Sequence, residues 1–114
     1  MNLLVLSITL AFYLICYYNL RMATWDEPKR QGNIRRHGLD FDGCEAIFDH
    51  FTITRGDTRE AYGEKRLVTF GLLGGDVVVL VHAERPTGIH VISLRGAEKH
   101  EARYYFEVAK DHFK

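Results

Sequence analysis

The chain has 114 residues, with 15 basic and 15 acidic side chains and a formal net charge of zero. This length fits one domain and leaves no room for a second hydrophobic core. The charge balance excludes nucleic-acid binding through bulk positive charge, so a site for an acidic ligand would have to rest on local clusters of basic residues.

The first 21 residues differ in character from the rest. Residues 1–20 carry no charge, and residues 3–20 are almost wholly apolar. A membrane-spanning helix needs about 20 apolar residues, and the segment lacks the basic start and small-residue cleavage site of a secretory signal. Two readings stay open. The segment is an uncleaved anchor that holds the domain on the cytoplasmic side of the inner membrane, or it is an over-extended start and translation begins at Met22.

Residues 22–114 are expected to form one cytoplasmic domain. Asp26 before Pro28 predicts the start of a helix, because Asp is a common N-cap and Pro is tolerated in the first turn. Gly38 after three basic residues predicts its end. A second short helix is predicted to begin near Asp40. Its apolar residues recur at helical spacing: Phe41, Cys44, Ile47 and Phe48.

Four strands and a last helix follow. The strands are predicted at residues 51–54, Arg66–Leu73, 77–83 and 89–95, and the helix at residues 97–110. Gly74-Gly75-Asp76 is typical of a hairpin turn, and the unbroken apolar run of residues 77–81 favours a central strand covered on both faces. The order predicts an α+β domain with two N-terminal helices, a four-stranded mainly antiparallel sheet and a C-terminal helix, with the helices on one side of the sheet.

Neither cysteines nor histidines form a recognisable metal or disulfide pattern. Cys16 and Cys44 are read as two reduced thiols, because neither has a second cysteine or a histidine at ligand spacing. His37 beside Gly38 is read as part of a helix end. His82 and His90 are predicted on adjacent strands, where either could act as an acid or a base. No metal or other cofactor is expected.

Four segments resemble the BrnT family of toxin–antitoxin ribonuclease toxins. Residues 25–41 read WDEPKRQGNIRRHGLDF, similar to the family's W-D-x-x-K-x-x-x-N-x-x-K-H-G-V-x-F. Residues 62–66 (YGEKR) and 81–85 (VHAER) match two shorter motifs. Residues 89–105, IHVISLRGAEKHEARYY, look like the closing I-R-I-I-S-A-R-x-A-x-x-x-E-x-x-x-Y. The ordered set covers nearly all of residues 22–105, with Gly96 and His90 standing where the family often has a basic residue.

The resemblance implies a RelE-like fold and a metal-independent ribonuclease that inhibits translation and is neutralised by a BrnA-type antitoxin. Such an enzyme uses the substrate's 2′-hydroxyl as nucleophile and needs cations to stabilise a phosphorane, a role that suits the planar arginine fork. Arg95 is the first candidate for that role. The other candidate catalytic residues are Glu64, Arg66, Glu101 and Tyr105. The candidate RNA-binding residues are Lys65, Arg55, Arg59 and Arg103.

Each candidate has a structural alternative. For Arg95 the alternative is an ion pair with Glu98 or Glu101. Glu64 and Glu101 are each candidates for a base or for the orientation of an arginine, and the structural alternative for each is a plain ion pair. Tyr105 either stacks on an RNA base or belongs to the core, since it lies on the apolar side of the last helix. At the level of the whole protein, the alternative to an enzyme is a non-catalytic module that binds RNA or a protein partner, tethered to the membrane if residues 1–21 form an anchor.

Overall fold

A computed structural model describes residues 10, 23–57 and 63–113. Apart from Leu10, the apolar segment of residues 1–21 lies outside that range, as do Cys16 and Arg59. None of the helices in the described part of the chain is long and apolar enough to cross a membrane.

The described residues form one five-stranded mixed sheet. Its strands in chain order are β1 (Ala23–Thr24), β2 (Ile53–Gly56), β3 (Arg66–Leu73), β4 (Asp76–Arg85) and β5 (Gly88–Gly96). The order across the sheet is β1-β5-β4-β3-β2, with β1 parallel to β5 and the other neighbours antiparallel. The prediction of four strands was therefore wrong by one. A two-residue strand is too short to show an alternating pattern, and β1 is defined only by its pairing with the distant β5.

The β3–β4 hairpin is confirmed. Leu73 pairs with Asp76, and the two residues between them, Gly74 and Gly75, have φ values of 61° and 88°. A two-residue turn of this kind needs positive φ at both positions, which glycine adopts without a steric penalty. The turn fixes the register of β3 against β4.

Within residues 23–57 and 63–113, three helical segments accompany the sheet: α1 (Glu27–His37), a 3₁₀ helix (Cys44–Asp49) and α2 (Lys99–His112). α1 begins and ends where the sequence predicts. Asp26 occupies the N-cap position without a side-chain capping bond, and Gly38 adopts φ 69° while its amide donates to the carbonyl of Ile34 at 2.8 Å.

The second N-terminal helix is a 3₁₀ helix, not the α-helix that the spacing predicts near Asp40. Asp40 instead accepts a hydrogen bond from the amide of Asp42 at 2.9 Å and pairs with Arg30. Gly43 then takes a left-handed conformation at φ 86°, which delays the helical turn to Cys44. Only six residues remain before His50 turns extended, and so short a segment is typical of 3₁₀ geometry.

Both faces of the sheet are covered, so the prediction that the helices lie on one side was wrong. On one face Ile47 of the 3₁₀ helix and Phe41 of the loop before it are buried against Val78 and Leu80. On the opposite face Tyr105 of α2 packs in a second core against neighbouring strand residues, namely Phe70, Val77 and Val79. Successive side chains of a strand point to opposite faces. The apolar run in β4 therefore feeds both cores, as expected for a covered central strand.

Candidate active site

A groove of about 480 Å³ opens on the face of the sheet that also packs against α2. Its floor is mainly aliphatic and aromatic, formed by Val68, Phe70, Val79, Val81 and Ile92. Three arginines and two carboxylates stand around that floor: Arg55, Arg66, Arg95, Asp57 and Glu101. A volume of this size lies within the ~300–1,000 Å³ typical of ligand sites.

Strand alternation places the arginines on this face. Arg66 begins β3 and shares its face with the floor residues Val68 and Phe70 at every second position. Arg55 of β2 lies opposite Val68. Arg95 of β5 lies opposite Val79 of β4, another floor residue. Three cations that are distant in sequence therefore meet at one surface, although the chain as a whole is neutral.

Arg95 is held by a carboxylate at the start of α2. Its two terminal nitrogens donate to the two oxygens of Glu101 at 2.8 and 2.9 Å. Glu101 Oε1 also accepts from the backbone amide of Glu98 at 2.8 Å, as part of a capping box. The guanidinium of Arg95, with the Glu98 amide hydrogen bond, lowers the pKa of Glu101 to about 2.

That low pKa bears on the role of Glu101. A general base works best when its pKa lies near the operating pH, and a carboxylate with a pKa of about 2 is a weak proton acceptor. Of the two roles considered for Glu101, the geometry favours orientation of an arginine over proton abstraction.

Arg55 lies over an aromatic ring at the groove. Its guanidinium carbon is 5.1 Å from the ring centroid of Phe70. A cation within about 6 Å of a ring centroid is attracted by the ring quadrupole. This contact places the exposed Arg55 side chain over Phe70, at the rim of the groove.

Comparison with known protein families shows which family this chain belongs to. Residues 25–101 match the family model described as ribonuclease toxin, BrnT, of type II toxin-antitoxin system. The chain belongs to the BrnT family. A search among curated proteins gives no match. The matched range includes all three groove arginines and ends at Glu101, so most of α2 lies beyond it. Membership of a type II toxin family also implies a protein antitoxin as partner.

The remaining polar candidates of this BrnT-family chain lie outside the described lining of the groove. Glu64 accepts from Arg85 at 3.3 Å, and both side chains are exposed. Lys65 is exposed just before β3, and Arg103 is exposed on α2. The structure thus brings four of the predicted site residues together and leaves these three apart.

Tyr105 lies in the core, on the side of α2 that faces the sheet. It is 2% exposed, and its hydroxyl donates to the backbone carbonyl of Phe51 at 2.7 Å. Burial raises the pKa of the phenol. Of its two readings from sequence, this environment favours the structural one, since a ring so enclosed has no face to offer an RNA base.

The two strand histidines do not share a site. His82 pairs with Val91, and His90 pairs with Ala83, so their side chains point to opposite faces of the sheet. His82 is buried on the face away from the groove, where Nε2 lies 2.8 Å from the hydroxyl of Thr69, and burial lowers its pKa.

His90 approaches the edge strand instead. Its Nδ1 lies 2.9 Å from the hydroxyl of Thr24, and burial lowers its pKa. His37 is the last residue of α1, beside Gly38, as the sequence predicts.

Cys44 is a buried free thiol, and its burial raises its pKa to about 12. The described residues contain no cluster of three or more His, Cys, Asp or Glu side chains that could hold a metal ion.

Two residues near the site were missed from sequence. Ser93 lines the groove on β5, two positions before Arg95 and on the same face. Asn33 of α1 is 1% exposed and binds the neighbouring residue of that strand: its side chain donates to the carbonyl of Leu94 at 2.8 Å and accepts from the Leu94 amide at 3.1 Å. Both residues fall within the motifs quoted above. The signal that could have identified Asn33 is an uncharged polar residue in a helix whose other polar residues are mostly charged.

Proposed function

We propose that this BrnT-family toxin cleaves RNA in the groove between β2 and α2 and that the cleavage inhibits translation. The substrate's own 2′-hydroxyl loses its proton and attacks the adjacent phosphate, and the bond from phosphorus to the 5′-oxygen breaks as that oxygen takes up a proton. The convergence of Arg55, Arg66 and Arg95 on one groove carries the proposal. Arginine remains charged at all physiological pH values and meets two phosphate oxygens at once.

The arrangement of Arg95 supports a role in the transition state. The cyclising phosphate gains negative charge as the 2′-oxygen attacks, and fixed cations that need no reorganisation lower the barrier most. Glu101 holds the Arg95 guanidinium by two hydrogen bonds, and Arg95 still lines the groove. We assign Arg95 and Arg66 to the scissile phosphate, Glu101 to the orientation of Arg95, and Arg55 to substrate binding at the rim.

We further propose a BrnA-type protein as the antitoxin and the cytoplasm as the site of action. The second candidate function is a non-catalytic RNA- or partner-binding module. It is favoured by the zero net charge and by Gly96, which stands where the family often has a basic residue. Cleavage by the purified chain separates the two functions.

The test uses purified full-length protein and an end-labelled RNA. We expect cleavage in excess EDTA, with products that end in a 2′,3′-cyclic phosphate or a 3′-phosphate. The matched substrate carries a single 2′-deoxynucleotide at the cut position and should stay intact there. Arg66→Ala should lower the rate at least tenfold, whereas Arg35→Ala, on the exposed side of α1, should not. Loss of cleavage in EDTA with rescue by Mg²⁺, or cleavage of the deoxy-substituted position, would contradict the mechanism. RNA binding without cleavage would favour the second candidate function.

A further inference from the structure

Tyr104 stands beside the groove with its ring half in solvent. It is 42% exposed, although it directly precedes the buried Tyr105. Its ring meets Phe70 edge to face, with the centroids 6.3 Å apart and an interplanar angle of 77°. Phe70 is a floor residue of the groove, so the ring of Tyr104 contacts that floor from α2.

Helix geometry explains why neighbouring tyrosines have different environments. Successive residues of an α-helix are rotated by about 100° about the helix axis, so residues three and four positions apart lie on the same side. Tyr105 lies on the side of Ala102, which faces the second core. Tyr104 lies on the side of Glu101, one turn further along α2, with a rise of about 4.5 Å between them. Tyr104 is therefore next to the pair formed by Glu101 and Arg95.

Arg55 contacts the same floor residue from a different element of the fold. The guanidinium of Arg55 from β2 and the ring of Tyr104 from α2 both contact the ring of Phe70. Two planar groups, one cationic and one aromatic, thus border an apolar surface next to Arg95. RNA bases stack on aromatic rings and on guanidinium planes, and such stacking holds bases that are not already stacked in a duplex.

We infer that Tyr104 and Arg55 form a stacking subsite for one unpaired RNA base, next to the arginines proposed to hold the scissile phosphate. The inference rests on the proposed function of the groove and adds a substrate-contacting residue to it. Tyr104, and not Tyr105, is then the tyrosine of α2 that contacts RNA. It lies beyond the matched family range, which ends at residue 101.

The test measures binding apart from cleavage. The probe is a fluorescent single-stranded RNA dodecamer with 2′-O-methyl groups throughout, which cannot be cut by 2′-hydroxyl attack. Fluorescence anisotropy with the full chain gives its Kd. Tyr104→Ala should raise Kd about tenfold, within the range reported for the loss of one stacked base. Tyr104→Phe keeps the ring face and should stay within about twofold of wild type.

Two variants separate stacking from other effects. Phe106→Ala is the matched control, because Phe106 is 53% exposed on the same helix but lines clefts away from the groove. It should leave Kd unchanged. Tyr104→Leu keeps an apolar contact with Phe70 and should keep the thermal midpoint, yet bind as weakly as Tyr104→Ala.

A series of dodecamers, each with one abasic position, tests the same contact from the RNA side. One member should bind wild type weakly, and its Kd should not change further with Tyr104→Ala.

The outcomes distinguish this inference from the proposed function. If Tyr104→Ala and Tyr104→Leu bind as wild type while Arg66→Ala binds weakly, the subsite is overturned and the groove stands. If wild type binds the probe through Tyr104 but cuts no RNA, the subsite stands and the proposed catalytic function fails. If wild type cuts RNA but does not bind the dodecamer, the subsite is overturned and the proposed catalytic function stands. Equal weakening by Phe106→Ala would also overturn the subsite.

Discussion

Glu101 holds the Arg95 guanidinium through two hydrogen bonds of 2.8 and 2.9 Å. The same carboxylate closes the capping box at the first turn of α2. The cap that starts the helix and the bridge that orients the groove arginine are therefore one group. A substitution of Glu101 or Arg95 is therefore expected to change both the stability of the start of α2 and the activity of the groove. Thermal unfolding and cleavage rate measure these two effects separately.

Arg95→Ala should lower the cleavage rate about a hundredfold, because the loss of a fixed cation that stabilises transition-state charge typically costs ~3 kcal/mol. Arg95→Lys should recover only part of the rate, since lysine keeps the charge but loses the bidentate fork. The thermal midpoint should fall slightly in both, because the Arg95 side chain is 36% exposed and an ion pair near the surface contributes roughly 1 kcal/mol or less. Rate and midpoint are measured on the same preparation, with Arg35→Ala as control.

A purely structural arginine would give a different pattern. In that case Arg95→Ala would lose activity only as folded protein is lost, and activity per folded molecule would match wild type. A stable and fully active Arg95→Ala protein would remove Arg95 from the chemistry and favour the non-catalytic function.

Stability should depend on acid through Glu101. Its pKa falls from 4.5 to about 2 in the folded chain. A carboxylate with a depressed folded pKa stabilises the fold above its unfolded pKa, and the contribution is lost as the pH falls towards the folded pKa. Glu101→Gln should therefore be less stable than wild type at pH 7. The gap between the two thermal midpoints should narrow as the pH falls from about 5 to about 2.

A second ion pair, which contains an acidic residue with a lowered pKa, serves as the control for this titration. Asp40 is paired with Arg30, and this lowers the pKa of Asp40 from 3.8 to about 2. That pair is intact in both proteins, so its effect cancels in the difference. A gap that stays constant from pH 7 to pH 2 would mean that Glu101 stabilises the fold as a neutral hydrogen-bond acceptor, with no share from its charge.

Capping and turn residues in the sequence correctly predicted where α1 begins and ends and where the β3–β4 turn lies. The ends of α1 follow from Asp26 and Gly38, and the β3–β4 turn follows from two glycines that tolerate positive φ. The strand β1 could not be predicted, because the strand that it pairs with in the described part of the chain, β5, lies more than sixty residues away. The covering of both sheet faces was implied by the apolar run in β4, but the side on which each helix packs depends on long-range contacts.

The candidate site was predictable by residue type but not by arrangement. Arginine chemistry singled out Arg95, Arg66 and Arg55, and the structure places all three around one groove. The helical spacing already placed Tyr105 on the apolar side of the last helix, and the structure buries it. The contact of the exposed Tyr104 with Phe70 was not predictable, because it depends on how α2 packs against the sheet. Ser93 was overlooked because a serine in a strand carries no signal until its neighbours are known.

Gly71→Ala should destabilise the domain without touching the groove. An added Cβ would lie 2.5 Å from Ile47 Cγ2 and 3.2 Å from Thr52 Cγ2, on the face where the 3₁₀ helix packs. Forcing extra volume into a packed site typically costs ~1–3 kcal/mol. Gly56→Ala is the matched control, since no atom lies within 4 Å of its added Cβ. Chemical denaturation gives both free energies of unfolding, and equal stability of the two variants would refute the close packing at Ile47.

Asn33 is predicted to be a main determinant of the position of β5. The Asn33 side chain forms hydrogen bonds with the backbone carbonyl and the backbone amide of Leu94, as a neighbouring strand would. It also donates to the carbonyl of Leu39 at 2.9 Å. Asn33→Ala would leave buried backbone groups without partners, each costing ~1–3 kcal/mol. We expect a loss of roughly 3 kcal/mol in the free energy of unfolding, measured by urea denaturation.

Asn33→Asp provides the sharper test of this hydrogen-bond arrangement. An ionised aspartate still accepts from the Leu94 amide but cannot donate to the two carbonyls, and its charge is buried. It should therefore be at least as unstable as Asn33→Ala at pH 7. Burial favours the protonated acid, which regains one donor. The folded pKa should accordingly lie above the unfolded value, and Asn33→Asp should gain stability relative to Asn33→Ala as the pH falls below that folded pKa. Gln31→Ala, at an exposed position of the same helix, should change little. If Asn33→Ala unfolds at the same urea concentration as Gln31→Ala, the Asn33 bridge contributes nothing to holding β5 beside α1.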